Sequence, residues 1–262
     1  MTKHLRATGA AAGFAVACLA ISLPALAQVS APAQRTVQRS GASSDDLGRL
    51  QSVYDSQRDY TSRMEFLSDS ARQGETWLAA QKFAECAVGF SEDRVRNLLD
   101  QAVEGKAKGK KIDVGEFLNR NQGCVATYMG FDRDFMRGAM AEAILTAEEG
   151  APTIPGPGSA DAVREFIKAV KAPSAKTDDP FVVGQLAAEC RTGFAPMQVR
   201  ALLDSEPGSA AEKGALNVLK AVTPQCASFA VADKPLTSQF ERAFAAQALY
   251  HWVDLGPKLA KN

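Results

Sequence analysis

Cysteine is the residue type whose chemistry this chain supports most directly. Four cysteines follow a predicted secretory signal, with spacings of 38, 66 and 36 residues: Cys86, Cys124, Cys190 and Cys226. Structural zinc sites usually bring cysteines together in close pairs, and redox-active sites use a low-pKa cysteine motif; this chain has no C-x-x-C. An even number of cysteines in an exported chain indicates disulfides instead. We therefore predict two disulfides, no metal and no cofactor.

This sequence offers few residues for acid–base or nucleophilic catalysis. His251 is the only histidine after residue 27, so a Ser/His/Asp or Cys/His arrangement would depend on it alone. We expect His251 to be a packing residue near the end of a helix. Two carboxylates, Glu85 and Glu189, could form the acid pair of a hydrolase. Because a duplication relates them, we expect instead that each does the same structural job.

A short insertion concentrates positive charge in the first half of the chain. It carries four lysines among glycine and alanine, without any aromatic residue: Lys106, Lys108, Lys110 and Lys111. Such a loop could contact an anionic surface or polymer, but a solvated insertion is the commoner explanation.

The chain contains an internal duplication. Residues Gln81 to Asp100 recur at Gln185 to Asp204 with an offset of 104, and eleven of the twenty positions are identical. Four cysteines allow three connectivities. Only the pairing of Cys86 with Cys124 and of Cys190 with Cys226 is inherited whole when a single unit is duplicated, and we predict that pairing.

Three charged residues are shared by the two copies and suggest an ion-pair network. They are Glu85, Arg96 and Asp100, with the counterparts Glu189, Arg200 and Asp204. A turn at Gly89 to Ser91 would bring the glutamate level with the arginine, and the aspartate follows the arginine by four residues. We predict that this network sets the register of two helices. The alternative is that the same groups line a binding site once per unit.

Helix signals recur in both copies and indicate an all-α fold. Pro180 and Pro196 suit first helical positions, and Asp179 suits an N-cap. The glycines at 89 and 193 suit left-handed helix ends, and Ser209 and Ser238 each begin a capping-box pattern. With few aromatic residues and abundant alanine, the sequence predicts two tandem multi-helix repeat units, each with an internal disulfide.

The chain divides into five predicted segments. These are a signal peptide at 1–27, a disordered leader at 28–44, helical unit 1 at 45–149, a Pro/Gly linker at 150–158 and helical unit 2 at 159–262. The signal has basic Lys3 and Arg6, an apolar run, and an A-x-A site that predicts cleavage after Ala27. A lipoprotein box ending at Cys18 fits less well, since the apolar run continues past it.

Composition and export limit the partners. Cleavage at residue 27 removes two basic and no acidic residues, so the formal charge moves from 0 to 28 − 30 = −2. A near-neutral chain gives no electrostatic case for nucleic acid, and the absence of a further long apolar run predicts no membrane span. The product should be periplasmic or secreted.

The second copy contains Ala-Glu-Cys at 188–190, Val-Arg-Ala-Leu-Leu at 199–203, Glu-Pro-Gly-Ser-Ala-Ala-Glu at 206–212, the cysteine that follows, and Ala-Gln-Ala-Leu-Tyr at 246–250. In these residues it resembles a duplicated, cysteine-containing helical repeat of uncharacterised exported alphaproteobacterial proteins. It implies a fold and an exported location, and no activity. We therefore expect a non-enzymatic binding or scaffold module for a protein, peptide or envelope component, with a carboxylate hydrolase acting on envelope material as the alternative.

Overall fold

A computed structural model describes residues 70–103, 114–124, 132–147, 151–170, 179–229 and 236–260. The described residues are 81% helical and contain no strand, which confirms the all-α prediction. The helices are α1 (Ser70–Asp100), α2 (Val114–Arg120), α3 (Arg133–Thr146), α4 (Ala160–Ala169), α5 (Pro180–Phe194), α6 (Pro196–Leu203), α7 (Ala210–Val222) and α8 (Ser238–Leu259), with short 3-10 helices at Gln122–Cys124 and Pro224–Phe229. The predicted signal peptide, the leader and the lysine insertion lie outside the described residues.

Both predicted disulfides are present. Cys86 bonds Cys124 and ties α1 to the 3-10 helix after α2. Cys190 bonds Cys226 and ties α5 to the 3-10 helix after α7. Each bridge therefore closes one half of the chain on itself, as the duplication required.

The helix breaks occur at corresponding positions of the two copies. In α1 the backbone leaves helical geometry at Ser91, with φ −162° and ψ 64°. Ala195, which lies 104 residues later, separates α5 from α6 with φ −142° and ψ 57°. The same three-residue region was predicted as a turn, but the break falls at its last position.

Three details of the predicted helix ends were wrong. Gly89 and Gly193 are helical, and the positive φ among the described glycines belongs to Gly208. Gly193 is small for a packing reason, since a Cβ there would lie 2.6 Å from a methyl carbon of Val163 on α4. Helix α8 has its N-cap at Thr237 rather than Ser238. The prolines at the starts of α5 and α6 stand where predicted, because their fixed φ suits a first turn.

Helix α8 is the centre of the fold and packs against α1, α3, α4, α5, α6 and α7. It lies close to α3, where a Cβ on Gly138 would meet the backbone of Ala243 at 2.5 Å. Small residues therefore let these two helices touch along their backbones. The side chains of α8 therefore contact helices from both halves of the chain.

One hydrophobic core spans the two halves. A run of aromatic rings crosses it: Trp77 contacts Phe135 at 5.4 Å, Phe135 contacts Phe240 at 4.4 Å, and Phe240 contacts Phe181 at 5.0 Å between ring centroids. All four side chains are buried. The described helices of the two copies thus share their apolar surface rather than enclosing separate cores.

The segment at 151–159, which covers most of the predicted linker, has no helix and is anchored to the fold. Ile154 packs against the main core. The backbone N–H of Gly158 donates to the Gly193 carbonyl at 2.8 Å, and the Trp252 indole donates to the Gly156 carbonyl at 3.3 Å. These contacts hold the segment against the helices.

Candidate functional site

The first copy uses its predicted charges locally. Arg96 donates to Glu92, one turn earlier, at 2.7 Å, and its guanidinium lies 6.0 Å from the ring centroid of Tyr250. The Tyr250 hydroxyl donates to Asp100 at 3.3 Å. Glu85 lies on the exposed face of α1. The structure therefore links Arg96 and Asp100 to the tyrosine on α8, and it does not bring Glu85 to the arginine.

The second copy arranges the same residue types differently. Arg200 donates to Asp204 at 2.8 Å and to the carbonyl of Leu145. Glu189 does not join this pair; it is 1% exposed and accepts a hydrogen bond from Gln185 at 2.9 Å. Burial raises the pKa of Glu189 to about 8 against the weaker opposing effect of the Gln185 hydrogen bond.

The structure places the three candidate catalytic residues, Glu85, Glu189 and His251, in different surroundings. Glu85 is exposed and Glu189 is buried, so the two carboxylates occupy unlike environments. His251 is buried in α8 beside the Tyr250 ring. The described part of the chain contains no group of three or more His, Cys, Asp or Glu side chains that could hold a metal ion. Because Glu189 is 1% exposed, its carboxylate is closed to a substrate in the described part of the chain.

A buried ion network, which sequence reasoning missed, joins the two copies. Arg242 on α8 donates to both oxygens of Glu142 on α3 at 2.7 and 2.8 Å, and to Glu212 on α7 at 3.2 Å. It also donates to the carbonyls of Leu202 and Leu203 at the end of α6. The five N–H groups of the guanidinium thus all have acceptors.

The carboxylates of this network are held by further donors. Gln81 on α1 donates to Glu142 at 3.0 Å, and the Gly208 backbone N–H donates to Glu212 at 2.8 Å. Burial raises the pKa of Glu142, and Arg242 opposes that shift. Since the network is sealed and saturated with hydrogen bonds, it holds α3, α6, α7 and α8 in register; it offers no access to a ligand.

A cavity of about 230 Å³ lies among α5, α7 and α8. Its walls are mainly apolar, with contributions from Ala187, Leu216, Leu219, Phe229 and Ala245. Phe229 belongs to the 3-10 helix that the Cys190–Cys226 disulfide ties to α5. That disulfide therefore fixes one wall of the cavity relative to another.

Three ionisable side chains line the same cavity. Glu241 accepts a hydrogen bond from Lys220 at 2.9 Å and lies 3.6 Å from the Arg191 guanidinium. The side chains of Arg191 and Glu241 are 13% and 18% exposed, whereas Lys220 is 43% exposed. Two cations and one carboxylate give the cavity lining a net charge of +1. Apolar walls with a few convergent polar groups are the usual make-up of a small-ligand site.

The corresponding positions of the first copy are filled with apolar side chains. The α1/α5 repeat aligns at an offset of 104, the cysteines after α2 and α7 at 102, and Phe135 and Arg137 with Phe240 and Arg242 at 105. On these offsets the counterparts of Arg191, Lys220 and Glu241 are Ala87, Leu118 and Met136, and those of Ala187 and Ala245 are Phe83 and Met140. All five counterparts belong to the main hydrophobic core or pack against it. In the described part of the first copy, apolar side chains therefore stand where the second copy has the alanines and charged residues of the cavity.

Comparisons with protein-family models, with curated proteins and with solved structures found no match. In the described part of the chain no helix is both long and apolar enough to cross a bilayer.

Proposed function

We propose that this protein is an exported, non-enzymatic binding module built from two tandem helical repeat units, and that the α5–α7–α8 cavity is its binding site. The observation that carries the proposal is the difference between the copies: at five corresponding positions the first has apolar side chains, four of them large, and the second has alanines and charged residues. Packing alone favours a filled core, since unfilled volume costs stability.

The repeat units are supported by features that recur at the duplicated positions. The Asn121 side chain donates to the carbonyl of Phe117, and its counterpart Thr223 donates to the carbonyl of Leu219. The helix breaks and the disulfides also recur. In this proposal the first copy supports the fold, and the second copy carries the binding site.

Export rests on the disulfides and the signal-like start of the chain. Two disulfides persist in an oxidising compartment such as the periplasm or the cell exterior. The predicted cleavage after Ala27 and the resemblance to exported alphaproteobacterial proteins agree with this location. The partner is a protein, peptide or envelope component that presents a group small enough for the cavity. The hydrolase alternative is less favoured, because Glu189 is 1% exposed and its carboxylate is closed to a substrate.

A thermal-shift experiment tests the binding site on the purified, disulfide-bonded protein. The probes are toluene, phenol, indole, phenylacetate, hexanoate, phenethylamine and a tripeptide that ends in phenylalanine. A ligand present at 100 times its Kd stabilises the folded state by about 2.7 kcal/mol, which raises Tm measurably. We expect at least one probe to do so.

Two matched variants locate the binding. Ala245→Met places in the cavity the side chain that Met140 has in the first copy, and it should abolish the shift. Ala221→Met adds the same atoms to the exposed face of α7 and should leave the shift intact. A panel without any stabilising probe, or equal shifts in the two variants, contradicts the proposed site.

A further inference from the structure

Arg191 has hydrogen-bonding capacity that the described residues do not use. Its side chain is 13% exposed, and its Nε lies buried without a hydrogen-bond partner among the residues that the structure describes. The distance from its NH1 to Glu241 Oε1 is 3.6 Å, too long for a hydrogen bond. The planar fork of arginine matches two carboxylate oxygens at once. A carboxylate is therefore the group that this side chain is equipped to receive.

The charge of the cavity lining favours the same ligand. Glu241 is shared by Lys220 and Arg191, so one carboxylate faces two cations. A monoanion would neutralise the remaining charge, whereas a cation would add to it. Because the walls are apolar and Arg191 is largely buried, water screens this interaction less than it does at an open surface.

The volume limits the apolar body of the ligand. An apolar protein cavity of about 150 Å³ accommodates benzene, and this cavity measures about 230 Å³. It therefore has room for one ring or a short alkyl chain together with a carboxylate. Sites for drug-sized ligands begin at about 300 Å³, which excludes larger multi-ring compounds from full enclosure.

We propose that the α5–α7–α8 cavity binds a small monocarboxylate whose single ring or short alkyl chain packs against Leu216, Leu219 and Ala245, and whose carboxylate is held by Arg191 with Lys220 at the rim. The proposal rests on the binding function proposed above and names its ligand class. The first copy has no equivalent, because alanine, leucine and methionine replace the three charged residues there.

Calorimetric titration of the disulfide-bonded protein with three compounds of the same shape tests the charge preference. Phenylacetate is the anion, phenylacetamide is its neutral isostere and phenethylamine carries the opposite charge. Hydrogen bonds to a charged group contribute enough that we expect the amide to bind at least about tenfold more weakly than the acid. The amine should bind more weakly still. A tripeptide ending in phenylalanine tests whether a peptide C-terminus is the actual source of the carboxylate.

Three variants test the assigned residues. Arg191→Met should weaken phenylacetate binding at least about tenfold and leave toluene binding unchanged; Arg164→Met, on the exposed face of α4, removes the same charge elsewhere and should change neither. Glu241→Gln removes the competing carboxylate and should strengthen phenylacetate binding, a gain that a merely structural role for Glu241 would not produce.

The outcomes separate this inference from the proposed function. Binding of toluene and phenylacetamide as tight as that of phenylacetate overturns the carboxylate assignment and keeps the cavity as a binding site. Binding of the tripeptide without binding of phenylacetate overturns the small-molecule assignment. Phenylacetate binding that survives both Arg191→Met and Ala245→Met places the ligand elsewhere and overturns the inference.

Discussion

Replacing Glu189 with glutamine is expected to remove one contribution to the pH dependence of stability between about pH 4.5 and pH 8. The side chain is 1% exposed, and one of its oxygens lies buried without a hydrogen bond among the described residues. Burial raises the pKa of the Glu189 carboxyl from 4.5 to about 8. In the unfolded chain the carboxyl returns to water and ionises at its ordinary pKa.

The sign of this pH dependence follows from the number of protons that Glu189 binds in the folded and in the unfolded protein. Below about pH 4.5 the Glu189 carboxyl is protonated in both the folded and the unfolded protein, so it adds no pH dependence to the free energy of unfolding there. Between 4.5 and 8 the folded state keeps a proton that the unfolded state has lost, so the free energy of unfolding falls as pH rises. The pKa difference, 8 − 4.5 = 3.5, corresponds to about 5 kcal/mol in full, with a slope of about 1.4 kcal/mol per pH unit.

Urea unfolding at a series of pH values across this window measures the slope. Glu189→Gln should show a flatter pH dependence than the wild type, by about the slope above, whatever its absolute stability. Glu85→Gln is the matched control, since Glu85 is the exposed counterpart in the first copy, and its pH dependence should follow the wild type. If Glu189→Gln retains the wild-type slope, the carboxyl is not buried as described and the reasoning fails.

Three further predictions concern what holds the fold and the cavity together. Arg242→Met should lower the free energy of unfolding by about 3–5 kcal/mol, because it leaves Glu142 and Glu212 buried without their cation; a loss below about 1 kcal/mol in urea unfolding would contradict the sealed network. Replacing both cysteines of either disulfide with serine should lower the free energy of unfolding by about 4 kcal/mol in the chain-entropy model. Only loss of the Cys190–Cys226 disulfide, which positions Phe229, should also weaken phenylacetate binding in the calorimeter. Trp252→Phe removes an anchor of the connecting segment and should make limited proteolysis cut there sooner, and an unchanged cleavage rate would show that the indole hydrogen bond is dispensable.

The features that the sequence predicted correctly depend on local chemistry. Pro180 and Pro196 define helix starts because the residue itself fixes φ, and the Asp179 carboxylate caps α5 by accepting from the backbone N–H of Phe181 at 2.9 Å. The disulfide pairing followed from the duplication, which constrains connectivity without any knowledge of packing. Such inferences need only residues that are neighbours in the chain or related by the repeat.

The features that were missed depend on which face of a helix becomes buried. Glu85 and Glu189 occupy the same position of the repeat, yet the first is exposed and the second is buried. The partners Glu142 and Arg242 lie 100 residues apart, beyond any local pattern. One signal was available: Arg242 stands in an alanine- and phenylalanine-rich stretch of α8 and recurs as Arg137, and a repeated arginine in an apolar stretch indicates a buried partner.

The two copies have diverged in a way that makes each depend on the other. Arg137 and Arg242 are counterparts, but one of the two carboxylates that meet Arg242 is Glu142 of the first copy, and the second copy has Gln247 at that position. Burial lowers the pKa of Arg137 to about 10, whereas Arg242 sits between two carboxylates. Separating the copies would strand Arg242 without Glu142 and expose the rings that meet at Phe240. The ion network and the aromatic run therefore act together to fix α8, and with it the position of Glu241 and Ala245 in the cavity.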